Sequence, residues 1–244
     1  MRRSNRQLLL TGFPGSVEQD QSHLQTAGYC CTYTSLLDLV GCAPWQGKIM
    51  QDYLAGFDAI IAMSPRASQF CQPDQWPTKR YFAIGPSSGK RWISAGLDVQ
   101  LATPSNSEGM LELLSQQPDL SSLQVLLLRG ATSRNWLKQK LPGLVRHYSE
   151  LCCYQQCPKF IQAEIVQQWA AKGINSVVCN SALQANHLIH LANRYHCQAW
   201  LQNCDLFIPS ERVGKSLIDF KFRHVYNCQG ATVEALMATL ETIE

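Results

Sequence analysis

Apolar residues follow two patterns that alternate along this chain. Short unbroken runs of Leu, Val and Ile give way to stretches in which apolar positions recur every three or four residues. The runs Gln7–Thr11, Ala59–Met63, Tyr81–Ile84, Val99–Ala102, Gln124–Leu128, Ser176–Cys179, Leu206–Ile208 and Val225–Cys228 predict strands. They lack polar alternation, so both faces of each strand should be covered. The stretches Val17–Ala27, Ser87–Ala95, Glu108–Gln116, Arg134–Leu141, Ala163–Lys172, Ala182–Asn193, Glu211–Asp219 and Thr232–Glu241 predict amphipathic helices. Ser107 and Ser210 stand where a capping hydroxyl is expected, each just before a glutamate that opens a helix. Strands that alternate with helices predict right-handed βαβ units and parallel sheets, an α/β fold class.

The pattern occurs twice. "QLLLTG" at Gln7–Gly12 matches "VLLLRG" at Val125–Gly130, and "FDAIIAMS" ending at Ser64 matches "INSVVCNS" ending at Ser181. "FAIGPSSGK" ending at Lys90 matches "FIPSERVGK" ending at Lys215. "VQLATPSNSEGML" from Val99 matches "VYNCQGATVEALM" from Val225. The pairs keep their order, and their offset drifts only from 117 (Ser64 to Ser181) to 126 (Val99 to Val225), as loop insertions would produce. Two copies imply two similar open-sheet lobes, too few for a solenoid. Cys30–Asp38 and His147–Tyr154 are extended, lack a following helix in register, and occupy equivalent places in the two copies. They read as paired connectors, which puts both chain ends in one lobe. The expected division is 1–35 plus 157–244 for lobe one and 39–152 for lobe two, with linkers at about 36–38 and 153–156.

The length of 244 residues suits two domains of about 100–150 each. A net charge of +3 is too small for wholesale nucleic-acid binding yet compatible with a small anionic ligand. The 11 cysteines are odd in number, scattered, and include no CxxC pair. Cys153 and Cys157 could bracket a metal, but no second ligand pair stands at zinc spacing, so reduced structural thiols and a reducing cytoplasm are expected. The apolar run after the basic N-terminus is too short for a signal sequence, and no stretch approaches membrane-spanning length.

Open parallel sheets bind ligands beyond the carboxyl ends of their strands. The turns there are Thr11-Gly12, Ser64-Pro65, Gly85-Pro86-Ser87-Ser88, Arg129-Gly130, Asn180-Ser181, Pro209-Ser210 and Gln229-Gly230. Small and hydroxylated residues at helix starts leave N–H groups that attract carboxylates or phosphates, at about 0.3–1 kcal/mol each. Taken singly each serine also reads as a plain cap; the two equivalent sets together predict an anion-lined cleft. Arg129 and Arg134 could grip a carboxylate or lie on a solvated surface. Tyr154, at the end of the second connector, could donate a proton to a leaving hydroxyl or simply pack. His187 and His190 share a helix face without a third ligand, which favours a surface or packing role. The chain carries no GxGxxG, Walker A, GxSxG or HExxH motif.

The segments "LLLTGFPG", "FDAIIAMSPRA", "RYFAIGPSSGKRWISAG", "LLLRGATSRNWL", "CCYQQCP", "VVCNSA" and "LFIPSERVGKS" resemble successive landmarks of the uroporphyrinogen-III synthases, in family order from Gln7 to about Leu240. The resemblance implies two flavodoxin-like parallel-sheet lobes joined by a two-stranded linker. It implies a cofactor-independent hydro-lyase that cyclises hydroxymethylbilane, a linear tetrapyrrole with carboxylate arms, to uroporphyrinogen III with inversion of the last ring. A monomer with neither a nucleic-acid nor a membrane partner is expected. By the match, Tyr154 takes the place of the family's linker tyrosine, the proton donor to the leaving hydroxyl. Because the spacing to Pro158 is slightly short, Cys152 is the alternative occupant. Thr11, Ser64, Ser87, Ser88, Arg129, Arg134, Asn180, Ser181 and Ser210 become the substrate-binding set. Two departures stand out: Gly12 replaces an arginine, and Asn180 stands where Thr or Ser is usual. Two other readings compete. One is a non-catalytic two-lobed binding protein for a small polyanion. The other is a nucleotide-sugar transferase, which should show a Gly-rich phosphate loop or an acidic metal motif.

Overall fold

The computed structural model describes residues 6–14, 17–42, 46–132 and 136–243. The strands in chain order are β1 (Gln7–Leu10), β2 (Cys30–Tyr33), β3 (Leu37–Gly41), β4 (Ala59–Ala62), β5 (Gln72–Pro73), β6 (Arg80–Ala83), β7 (Val99–Leu101), β8 (Gln124–Gly130), β9 (His147–Pro158), β10 (Ser176–Val178), β11 (Asp205–Ile208) and β12 (His224–Asn227). The helices are α1 (Val17–Thr26), α2 (Gly47–Ala55), α3 (Pro65–Phe70), α4 (Pro86–Ser94), α5 (Ser107–Ser115), α6 (Trp136–Lys140), α7 (Ala163–Ala171), α8 (Ala182–Arg194), α9 (Gln198–Gln202), α10 (Glu211–Lys215) and α11 (Val233–Ile243). The chain divides into two compact units, Met1–Asp38 with Cys157–Glu244, and Leu39–Gln156. The strands β3 and β9 run through the two boundaries.

The first unit holds a parallel sheet in the order β12-β11-β10-β1-β2. Counted along the chain this is 2-1-3-4-5 from the β2 edge, the flavodoxin order, with the direction of winding reversing between β1 and β10. The period of two along a strand separates its two cores. Leu9 faces α7 and α8 with Val166, Trp169 and Leu188, while Leu8 and Leu10 face α1 and α11 with Leu24, Val233 and Leu240. Each such leucine is fully or almost fully buried, worth about 1.5–3 kcal/mol.

The second sheet runs β3-β9-β8-β4-β6-β7. Its parallel strands β4, β6, β7, β8 and β9 read 3-2-1-4-5 from the β7 edge and reverse between β4 and β8. Ile60, Ala62, Leu126 and Leu128 pack with Met50 and Leu54 of α2 and Trp92 of α4. Ile61, Val125 and Leu127 pack with Met110 and Leu114 of α5. Two helices close in the same way: Gly96 and Gly173 take positive φ, and Leu97 N–H and Ile174 N–H return to the Trp92 and Trp169 carbonyls at 3.1 Å.

All eight predicted strands form, and seven of the eight predicted helices begin within one residue of their expected start; the expected start of the other, Arg134, lies outside the described residues, and α6 is described from Trp136. The two stretches expected to be extended form strands, and each is also a member of a sheet. Cys30–Tyr33 is a parallel edge strand on β1, and His147–Tyr154 pairs along all of β8. β2 is the edge of its sheet, whereas β9 lies between β8 and β3. Asn106, not Ser107, caps α5, its Oδ1 accepting the Gly109 N–H at 2.8 Å. Asn106→Ala should therefore cost about 1 kcal/mol in denaturant unfolding, whereas Ser107→Ala should leave that cap intact. No helix among the described residues is long and apolar enough to cross a membrane.

Candidate active site

In the second unit the carboxyl ends of β4, β6, β8 and β9 bring Ser64, Ser87, Arg129 and Tyr154 to one edge of the sheet. The seat of Tyr154 begins with a break in register. Opposite β8, Arg129 pairs with Cys152, and the next residue, Gly130, pairs with Tyr154, so one residue of β9 is bulged. The bulge turns the phenol across Gly130. A β-carbon at that position would lie 2.6 Å from Tyr154 Cζ and 2.8 Å from Oη. Phe70 stacks on the same ring at 5.7 Å between centroids. The Tyr154 carbonyl accepts the Ala131 N–H at 2.9 Å.

The phenol ends 3.2 Å from Ser64 Oγ. Ser64 is the N-cap of α3, and its Oγ accepts the Ala67 N–H at 3.1 Å. With a lone pair so engaged, its proton is available to Tyr154 Oη. The phenol can then offer its own proton outward.

Arg129 is buried, at 9% exposure. Its Nη1 donates to Glu150 Oε2 at 2.6 Å, while Nε and Nη2 donate to the carbonyls of Gly130 and Ala131. Lys138 reaches the other Glu150 oxygen at 3.2 Å. Sequence left Arg129 between ligand contact and a solvated surface; it is instead a buried cation that ties down the strand end beneath Tyr154. Its partner Glu150 escaped sequence reading because ion pairing between neighbouring parallel strands follows register, not spacing. Ser88 also differs from expectation. It is 1% exposed, and its carbonyl accepts from Ser68 Oγ of α3. Ser87 is the exposed hydroxyl of that turn, at the start of a helix whose Gly85 cap supplies no side-chain bond. Arg134 lies outside the described residues.

In the first unit Thr11, Asn180, Ser181 and Ser210 gather at the ends of β1, β10 and β11, beside the point where the winding reverses. Thr11 is turned inward. Its Oγ1 donates to the Val178 carbonyl at 2.7 Å, and it is 1% exposed. Ser181 caps α8 through the Gln184 N–H at 3.2 Å. Buried Gln184, which sequence reasoning missed, links the two strand ends: Nε2 donates to the Thr11 carbonyl and Oε1 accepts the Asn180 N–H. Asn180 is exposed, and Ser210 caps α10 without a side-chain bond. A narrow hollow lies among Thr11, Gly12, Asn180, Pro209, Gly230 and Thr232, with room inside for about one water. Asp20 also lines it, its carboxyl raised by burial and by Glu234. A β-carbon at Gly12 would meet Val17 Cγ2 at 2.6 Å, so a side chain there requires Val17 to shift. His187 Nε2–H donates to the Lys159 carbonyl at 2.8 Å, a packing role. No cluster of three or more potential metal ligands occurs among the described residues.

Comparison with known proteins adds the family context. Residues 21–238 match the family model described as uroporphyrinogen-III synthase HemD. The uroporphyrinogen-III synthase of Escherichia coli K12 is 26% identical over 249 aligned positions, covering 96% of this chain and 99% of that protein. The Salmonella typhimurium enzyme of the same name is 28% identical over 196, covering 75% and 78%. Among solved structures, a mutant uroporphyrinogen III synthase of Thermus thermophilus superposes with a TM-score of 0.56 at 13% identity, covering 98% of each chain. A Helicobacter pylori uroporphyrinogen-III synthetase gives 0.53 at 10% identity, over 98% of this chain and 100% of that one. At such identities the structural likeness speaks for the fold.

Proposed function

Because the chain belongs to the uroporphyrinogen-III synthase family, we propose that it converts hydroxymethylbilane to uroporphyrinogen III, releasing one water and inverting the last pyrrole ring. The observation that carries this reading is the placement of a phenol at a strand end, against a capping hydroxyl whose acceptor side is already engaged. Water leaves the terminal hydroxymethyl group more easily once its oxygen is protonated. Tyr154 Oη gives that proton, and Ser64 Oγ–H donates to the phenol oxygen as negative charge develops on it. Departure of the hydroxyl leaves an electrophilic carbon, and the ring closes on it.

The remaining work is positioning. A flexible tetrapyrrole closes by itself, so the protein's task is to fix which carbon attacks. The carboxylate arms suit the two sets of strand ends. Ser87, Asn180, Ser181 and Ser210 are the groups there that reach solvent, while Thr11, Ser88 and Arg129 hold the turns from within. Acting as a monomer in the cytoplasm would suit a chain whose 11 cysteines all stand as thiols.

An isomer assay tests the reading. Given enzymatically generated hydroxymethylbilane, the protein should yield predominantly the type III isomer, separated chromatographically after oxidation to the porphyrin. Type I product alone, formed at the rate seen without protein, would overturn the proposal and favour a non-catalytic polyanion binder.

A further inference from the structure

The second unit contains a pair of thiols that the proposed chemistry does not use. Cys42 follows β3 and Cys152 lies on β9, 110 residues apart in the chain, with their sulfurs 3.1 Å apart. The backbone brings them together, since the Cys42 N–H donates to the Cys153 carbonyl at 3.1 Å across the β3–β9 pair. Cys42 is exposed and Cys152 half-exposed, so a small molecule can reach the pair. The neighbouring thiols are shut away. Cys71 and Cys153 are buried in the core beneath, and burial raises both, Cys71 to about 12. Thiols of that kind are poor nucleophiles.

We propose that Cys42 and Cys152 form a specific, reversible disulfide, a redox modification site beside the two strands that cross the unit boundaries. A covalent bond needs the sulfurs to close to about 2.05 Å, a small movement from contact and one that a strand end can supply. The oxidant is a low-molecular-weight disulfide. The Cys42 thiolate attacks one of its sulfurs, forming a mixed disulfide and releasing one thiolate. Cys152 then loses its proton to solvent and attacks the Cys42 sulfur, forming the intramolecular bond and releasing the second thiolate. Two protein thiols are oxidised and one small disulfide is reduced to two thiols.

The test is equilibration of the folded protein with oxidised and reduced glutathione at a series of ratios, followed by acid quench, alkylation and peptide mapping. Two thiols per chain should be lost together. The Cys42–Cys152 cross-link should exceed every other cysteine pair at least about tenfold and should vanish on treatment with dithiothreitol. In Cys42→Ser the cross-link should be absent. The same treatment in denaturant should scatter the pairing. A folded protein in which this cross-link fails to form, or forms no more often than in denaturant, would overturn the proposal. The readout is thiol chemistry, so it is independent of the tetrapyrrole assay.

Discussion

Asp205→Asn should destabilise the first unit by about 3–5 kcal/mol, the cost of breaking a buried ion pair from one side. Asp205 opens β11 at the edge of the sheet opposite the proposed site, and its side chain is 2% exposed. Three basic groups converge on it. Arg223 makes a two-pronged contact at 2.7 Å, Arg6 reaches Oδ2 at 2.6 Å, and His224 Nδ1 lies 3.0 Å from Oδ1. Arg6 also donates to Ser176 Oγ and lies over the Phe207 ring. An amide fits the same space but gives no charge to the two guanidiniums, one of which is only 17% exposed. Urea unfolding followed through Trp169 and Trp200 measures the loss. A change below about 1 kcal/mol would mean that solvent already screens the cluster.

The same cluster sets an acid limit. Burial alone would raise the Asp205 carboxyl, but hydrogen bonds from Arg223, Arg6 and His224 outweigh it and hold the group far below the ordinary carboxylate range. Its unfolded value is about 3.9, so below that pH the unfolded chain takes up a proton that the folded one refuses. Stability from this residue is complete above about pH 5 and drains as the pH falls through and below about 4. Asp205→Asn should flatten that part of the curve.

What the sequence disclosed and what it hid follow from the range of the forces involved. The strands were legible because runs such as Ala59–Ala62 and Leu8–Leu10 are apolar on both faces, a local property. So were the helix ends at Gly96 and Gly173, where a left-handed residue is followed by an apolar one. Helix α2 carries a local signal too, since Met50 and Leu54 bury one face at the spacing of one turn, yet it is absent from the predicted set; it opens on Gln46 and Gly47, and no capping side chain marks its start. The site divides in the same way. Ser64 and Ser181 are caps whose role is written within four residues. The engagement of Arg129 by Glu150, the link from Thr11 through Gln184 to Asn180, and the convergence on Asp205 all join residues brought together only by strand register. No window along the chain contains them. Gly130 is an intermediate case. Its place after Arg129 was visible, but its need to be glycine arises from a tyrosine on the adjacent strand.

That last contact gives the sharpest test of the proposed chemistry. Tyr154→Phe removes only the oxygen that donates the proton, so kcat should fall about 100-fold with KM changed by less than about threefold. Gly130→Ala leaves the phenol in place chemically but puts a methyl group 2.6 Å from Cζ, which the ring can escape only by moving most of an ångström. Positional catalysis is sensitive at that scale, and a loss in kcat of about 10–100-fold is expected while the fold survives, as its melting curve would report. The decisive quantity is the double variant. If Gly130 matters because it seats the phenol, then adding Gly130→Ala to Tyr154→Phe should cost much less than it costs alone, since the group it displaces no longer carries a proton. Additive losses would mean that the alanine damages something other than proton transfer, and the seating role assigned to Gly130 would have to be given up; a Tyr154→Phe variant with unchanged kcat would remove the role assigned to Tyr154 Oη.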